Sequence, residues 1–256
     1  LTDRRQRQKQ LRAEKRQEER RRASRRELRR RLIIALGVGL SLAAVFLVSG
    51  VLANRPAGLP ASYLAFRAKP VACGGQLPPE ERLMSFDQPA TLGLTGQLTA
   101  EITTSCGAIV IALDPSFEQT VNSFVFLARQ GFYDGTVIHR IASDLVIQAG
   151  DPLAEGRGGP GYFIPDEFPP SGFVYQPGVV AMANAGGGTT GSQFFIVIGD
   201  KARVFNPTFN VLGEVVSGLE TIDAIAAVPT ALQPGSNERS LPLEAVYLEK
   251  IEVTQG

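Results

Sequence analysis

Residues 32–52 read LIIALGVGLSLAAVFLVSGVL, 21 positions in a row without a charge. A helix needs about 20 such residues to cross a bilayer. The run therefore predicts a transmembrane helix over 32–53 and leaves only the residues after it for a folded domain. Residues 1–31 hold 15 of the 26 Lys+Arg and 5 of the 25 Asp+Glu, a local net charge of +10, while the rest of the chain carries −9. Arg29, Arg30 and Arg31 abut the apolar run, and only Arg55 follows it closely. The positive-inside bias then keeps the N-terminus in the cytoplasm and sends residues from about 54 onward outside. The plain reading of such a charge run is a solvated helix face. Beside a span, contact with anionic lipid and a topology signal explain it better than nucleic-acid binding. Val51-Leu52-Ala53 would pass as a cleavage site, but the run is longer than the roughly 7–15 apolar residues of a signal peptide, which favours an uncleaved anchor. Ser24-Arg25-Arg26-Glu27-Leu28 resembles a twin-arginine signal, a match that so Arg-rich a segment makes by chance.

Past the span the chain reads as globular. With 44% hydrophobic and 20% charged residues, wholesale disorder is excluded. Two Cys and one His cannot build the four-ligand Cys/His structural zinc site of a zinc finger. Residues 54–97 hold Pro56, Pro60, Pro70, Pro78, Pro79 and Pro89 with weak periodicity, which reads as a linker. Residues 98–105 alternate, Cys106-Gly107 breaks the pattern, and 108–113 resumes it, a hairpin signal. Residues 116–129 switch to helical period, with Phe117, Val121, Phe124, Val125 and Ala128 on one side and Gly131 as C-cap. A second helix is predicted over 218–228, stopped by Pro229. Short apolar runs at 145–148, 179–183, 194–198 and 211–216, and a last one at 244–253, read as strands. Short strands with two helices predict a β-barrel or sandwich with helices packed on it. Cys73 and Cys106 both follow the span, so an exported domain permits a bridge between them; two free thiols is the equal alternative.

General motifs explain little. Residues 156–161 (GRGGPG) match G-x-G-x-x-G, yet they follow no βα unit and open no helix, so they read as a loop. Residues 186–192 (GGGTTGS) lack the Lys of a phosphate-binding loop. There is no G-x-S-x-G, so a triad built on His139 has no nucleophile elbow to go with it.

Four separated stretches carry more. They are His139-Arg140, Gln148-Ala149-Gly150-Asp151, Ala183-Asn184 and Ser192-Gln193-Phe194-Phe195. Their order and spacing resemble the cyclophilins, the cyclophilin-type peptidyl-prolyl cis–trans isomerases, and with the span the chain resembles a membrane-anchored, bacterial-like form. The resemblance covers residues 98–256 and says nothing of 1–97. It implies a mainly β fold, a closed eight-stranded antiparallel barrel capped by two α-helices. Together with the hydropathy this divides the chain into a tail at 1–31, a span at 32–53, a linker at 54–97 and a cyclophilin-like domain at 98–256.

The resemblance implies roles as well. Arg140 would donate to the prolyl nitrogen or the adjacent carbonyl of the twisted peptide bond, with Gln148 anchoring it and Phe195 flooring the proline slot. Leu145 and Val146 would wall that slot, Ala183 and Asn184 would run beside the peptide, Gln193 would sit behind, and Phe205 and Phe209 would line the rim. His139 belongs to the substrate-binding set by its place in the motif, and needs no proton-transfer role. Family members commonly have Phe and Met where this chain has Leu145 and Val146, and often Trp where it has Val204, so a wider or shallower pocket is expected. Phe209 replaces a frequent His or Tyr. No cofactor or metal is implied. The expected partners are Pro-containing polypeptides and, through residues 32–53 and the tail, membrane lipids. The expected function is isomerisation of Xaa–Pro bonds in exported or membrane-proximal proteins. A catalytically weak module that binds Pro-containing peptides is the alternative, and recruitment of a cytoplasmic partner by the tail is a third, weaker reading.

Overall fold

The structure, a computed structural model, describes residues 59–79 and 83–256. The basic tail, the apolar run at 32–53 and the first linker residues lie outside the described residues. Among the described residues no helix is long and apolar enough to cross a membrane.

Among the described residues, ten strands and three α-helices build the body. The strands are β1 (Leu98–Thr104), β2 (Gly107–Leu113), β3 (Arg140–Ala142), β4 (Val146–Ala149), β5 (Val179–Met182), β6 (Phe194–Val197), β7 (Val211–Ser217), β8 (Thr230–Leu232), β9 (Arg239–Pro242) and β10 (Leu248–Gln255). The helices are α1 (Ala61–Arg67), α2 (Glu118–Arg129) and α3 (Leu219–Ala226). Period-two burial makes β1 and β2 a hairpin: Leu98, Ala100, Ile102, Ile109, Ile111 and Leu113 all face the core. In α2, Val121, Phe124, Val125 and Ala128 are buried at helical spacing, and Gly131 follows the helix with φ of 70°. The Glu167 carboxylate accepts from the N–H groups of Gln119 and Thr120 at 3.0 and 2.7 Å, placing negative charge at the N-terminus of α2.

Eight strands form one antiparallel sheet in the order β10-β1-β2-β7-β5-β6-β4-β3. The expected closed barrel is not what forms. The sheet is curled but open: β3 and β10 are its two edges, and no ladder joins them. Contact comes ahead of β3 instead: Val137 bridges Tyr247, and backbone bonds join Gly135 and Thr136 to Leu248 and Ile138 to Val246. β3 is three residues long, and the β8–β9 hairpin packs along it where a closing partner would lie.

The sheet's two faces bury different clusters. One holds Phe194, Ile196, Ile147 and Met182 with the apolar faces of α2 and α3. There Phe194 meets Phe124 and Tyr133 edge-on, with ring centroids 5.8 Å apart in both pairs. Each such side chain contributes about 1.5–3 kcal/mol on full burial. The other face carries Phe195, Val146, Val197 and Ala181 with Tyr175. From Leu59 the expected linker is part of the compact unit, Leu59–Gly256. Tyr63 and Phe66 of α1 are buried against Val137, Ala245 and Tyr247. A disulfide joins Cys73 to Cys106, in the β1–β2 turn.

Candidate active site

The strand register assembles the centre of the site. Arg140 on β3 pairs with Gln148 on β4, Gln148 with Phe195 on β6, and Phe195 with Ala181 on β5. Paired residues of neighbouring strands share a face. Three of the four stretches singled out in the sequence therefore contribute to one row across the sheet, although up to 55 positions separate Arg140 and Phe195 in the chain.

Arg140 is held on two sides. Its Nε and Nη2 donate to Oε2 and Oε1 of Glu238, both at 2.7 Å, and its Nη1 donates to Gln148 Oε1 at 3.1 Å. Arg140 only donates, which fixes the Gln148 amide: its Nε2 donates onward to Gln193 Oε1 at 3.0 Å. Gln193 Nε2 in turn donates to the carbonyl of Gly158 at 2.9 Å. At the other end, Ser240 Oγ donates to Glu238 Oε2 at 2.7 Å. The Arg140 guanidinium beside Glu238 holds its carboxyl well below the usual carboxylate range, at about 2.

The Gly158 carbonyl belongs to a loop anchored by Asp151, which is fully buried. The Asp151 carboxylate accepts from the N–H groups of Leu153, Glu155, Gly156 and Arg157. Gly158 must be glycine here, because a Cβ at that position would fall 1.9 Å from Asp151 Oδ1. Beside this loop opens a cavity of about 570 Å³, lined on its other sides by Gln148, Tyr162, Phe163, Ala183, Asn184 and Gln193.

Apolar side chains surround Phe195. Phe209 and Phe205 meet its ring edge-on at 5.4 and 6.3 Å, and Tyr175 lies 6.3 Å away. Tyr175 also pins the loop of Phe209, donating to its carbonyl at 2.7 Å and accepting from its N–H at 3.0 Å. Leu145 and Ala183 are half-buried against this cluster, and Val146 is fully within it. Phe195 itself is 4% exposed, a deep-set floor. Val204 takes no part: it ends a short 3-10 helix, Asp200–Val204, and is 84% exposed.

The surroundings of His139 and Asn184 differ from those of the row. His139 is 2% exposed, behind the row rather than on it, and burial pushes its imidazole down to about 4 against the opposing pull of Asp151. The Asn184 side chain is engaged with the scaffold, its Nδ2 donating to the Thr208 carbonyl at 2.8 Å and its Oδ1 accepting from the Gly186 N–H at 3.2 Å. Three contributors escaped the sequence reading. Asp151 lay inside a quoted motif with no role attached, whereas Glu238 and Ser240 sit in a polar stretch that carried no signal. Among the described residues no cluster of three or more His, Cys, Asp or Glu is placed to hold a metal.

The model of the family described as cyclophilin type peptidyl-prolyl cis-trans isomerase/CLD matches residues 99–253. The chain belongs to this family. The cyclophilin is 42% identical over 175 residues to peptidyl-prolyl cis-trans isomerase B of Streptomyces anulatus, a match spanning 61% of this chain and 97% of that protein. It is 38% identical over 182 residues to a probable peptidyl-prolyl cis-trans isomerase A of Mycobacterium leprae, spanning 64% and 96%. Among solved structures it resembles a cyclophilin-type peptidyl-prolyl cis-trans isomerase of Cryptosporidium parvum, with a TM-score of 0.55 and 26% identity over 62% of this chain and 99% of that one. That protein is also known in the presence of the dipeptide Ala-Pro. The enzyme class is therefore peptidyl-prolyl cis–trans isomerase.

Proposed function

We propose that this cyclophilin accelerates Xaa–Pro rotation without covalent chemistry, using the Arg140 guanidinium to draw the imide nitrogen's lone pair out of resonance with its carbonyl. Rotation about a peptide bond meets a barrier of roughly 18–20 kcal/mol, sustained by that resonance. A donor that engages the nitrogen lone pair, or the carbonyl as it twists, stabilises the transition state more than the ground state. A hundred-thousandfold acceleration needs about 7 kcal/mol, and a hydrogen bond to a charged group contributes about 1.5–3 kcal/mol. The remainder must come from a dry slot that seats the ring and from polar groups that fix the flanking backbone.

The observation that carries this reading is the row of Arg140, Gln148 and Phe195 on one sheet face. It sets a guanidinium and an aromatic floor on one face with Gln148 between them, and the 570 Å³ cavity adjoins Gln148. Phe205, Phe209, Leu145 and Val146 supply the apolar surroundings, and Ala183 and Asn184 the rim along which a peptide would run. The test is Arg140→Lys, which keeps the charge and loses the rigid fork of donors. NMR exchange on an Xaa–Pro peptide should fall at least tenfold. Unchanged exchange would show that a planar donor is not what the reaction uses.

The clients proposed are Pro-containing polypeptides outside the cytoplasm, close to the membrane. The Cys73–Cys106 disulfide supports an oxidising compartment. The uncharged run at 32–52 behind a basic tail supports membrane contact. Protease added outside intact cells should digest the Leu59–Gly256 unit; protection until the membrane is broken would place it inside.

A further inference from the structure

The β8–β9 hairpin does more than cover an edge. Its six-residue turn, 233–238, is closed by the Gln233 N–H donating to the Glu238 carbonyl at 2.8 Å, and the Glu238 N–H donates to Ser236 Oγ at 3.0 Å. The backbone of Glu238 is thus tied at both ends before its side chain reaches across to β3. Ser240, fully buried, donates to the same carboxylate from the next inward position. Glu238 is 98 residues from Arg140 in sequence, and the turn of the hairpin brings its carboxylate to the guanidinium.

We propose that Glu238 is a positioning residue for the isomerase reaction, clamping the plane of the Arg140 guanidinium so that its free N–H bonds are presented to the substrate. The proposal rests on the reading of Arg140 as donor. The geometry explains how the clamp works. A bidentate pair through Nε and Nη2 fixes both the position and the rotation of a planar fork, which a single bond does not. Gln148 occupies one N–H of Nη1, and one N–H remains free on each terminal nitrogen. These are the donors available to a twisting imide. The directional chain continues through Gln148 and Gln193 to the Gly158 carbonyl, so the clamp also sets the position of the wall of the neighbouring cavity. Arg140 and Glu238 side chains are 24% and 36% exposed, so the pair is open enough to meet a substrate and enclosed enough to be directional.

A carboxylate on a catalytic cation acts in two opposite ways, and their signs differ in turnover. As a clamp it removes rotamer freedom that an Arg side chain otherwise retains; as a counter-charge it weakens the electron pull on the substrate. The bidentate geometry favours the clamp. Released rotamer freedom alone corresponds to roughly a thirtyfold loss.

The test compares wild type, Glu238→Ala, Glu238→Gln and Arg140→Ala in the full chain on one Xaa–Pro peptide, with kcat and peptide Kd from NMR exchange. Glu238→Ala should lower kcat about ten- to thirtyfold with Kd within about twofold, since positioning acts on the twisted state. Glu238→Gln, which keeps one acceptor oxygen, should fall between Ala and wild type. The Arg140 Nε–H resonance should lose its salt-bridged position in Glu238→Ala. Should Glu238→Ala misfold, Ser240→Ala removes the support of the carboxylate and should lower kcat about threefold. Unchanged kcat in Glu238→Ala, or in Ser240→Ala if that variant has to stand in, overturns the proposal, as does a rise in kcat, which would make the carboxylate a brake. If Arg140→Ala also retains full turnover, the Arg140 reading itself has failed, an outcome distinct from an idle Glu238.

Discussion

Removing the disulfide should destabilise the folded unit without touching the chemistry. Cys73 and Cys106 are 33 positions apart, and their bridge closes a loop of that length in the unfolded chain. Chain entropy lost to a loop of this size is about 12 cal/mol/K, or about 3.7 kcal/mol at room temperature. The folded state should lose little, because the segment before β1 is held independently. Tyr63 donates to the Gly135 carbonyl at 2.9 Å. Backbone bonds join Ala72 to Ala245 at 2.9 Å and Ala245 to Pro70 at 2.8 Å. The double variant Cys73→Ser with Cys106→Ser, made in residues 54–256, should therefore unfold in urea with about 2–4 kcal/mol less stability. Heat should show the same loss as a melting point lower by about 4–16 °C. Turnover on an Xaa–Pro peptide should stay within about twofold below the melting transition. A loss under about 1 kcal/mol would mean that the loop is already constrained in the unfolded chain. A large loss of kcat in still-folded protein would refute the separation between strap and site.

Two further outcomes follow from the buried groups behind the site. His139 has its folded pKa pushed down from 6.5 to about 4 by burial, so the unfolded chain takes up this proton first. Stability should be at its full value above pH 6.5 and fall through the window down to about pH 4 with a slope approaching one proton; His139→Phe should flatten that slope in urea titrations at stepped pH. Asp151→Ala strips the acceptor from four backbone N–H groups in the 153–157 loop. It should cost at least about 3 kcal/mol and raise amide exchange across that loop, and native-like protection there would contradict the anchoring role.

What the sequence disclosed depended on local period and on short motifs. The β1–β2 hairpin and α2 were legible because apolar residues recur at the spacing of their own element. The strands around the site were legible as short apolar runs, and the motif resemblance located Arg140, Gln148 and Phe195. Neither signal reveals that the three share a row; that depends on the register of β3, β4 and β6, which no residue announces. The closed barrel was carried over whole from the resemblance, and the edge at β3 stays open instead. Glu238 was invisible because QPGSNERS has neither alternation nor helical period and its partner is 98 residues away. In α1, the prolines on either side obscured a seven-residue helix whose only apolar anchors are Tyr63 and Phe66. Val204 was misleading in a different way: alignment put it where a pocket residue belongs, and its side chain points to solvent.

The central claim is that Arg140 lowers the barrier to Xaa–Pro rotation from a site that also holds the peptide. The most direct test is NMR exchange between cis and trans forms of one Xaa–Pro peptide, with wild type and Arg140→Ala at matched saturation and with binding measured in parallel. Wild type should bring exchange into the millisecond range from the roughly 10–100 s of the free peptide. Arg140→Ala should bind the peptide and fold as wild type does while exchange drops by about 10²–10³. Equal exchange in the two proteins, at equal occupancy, would contradict the account.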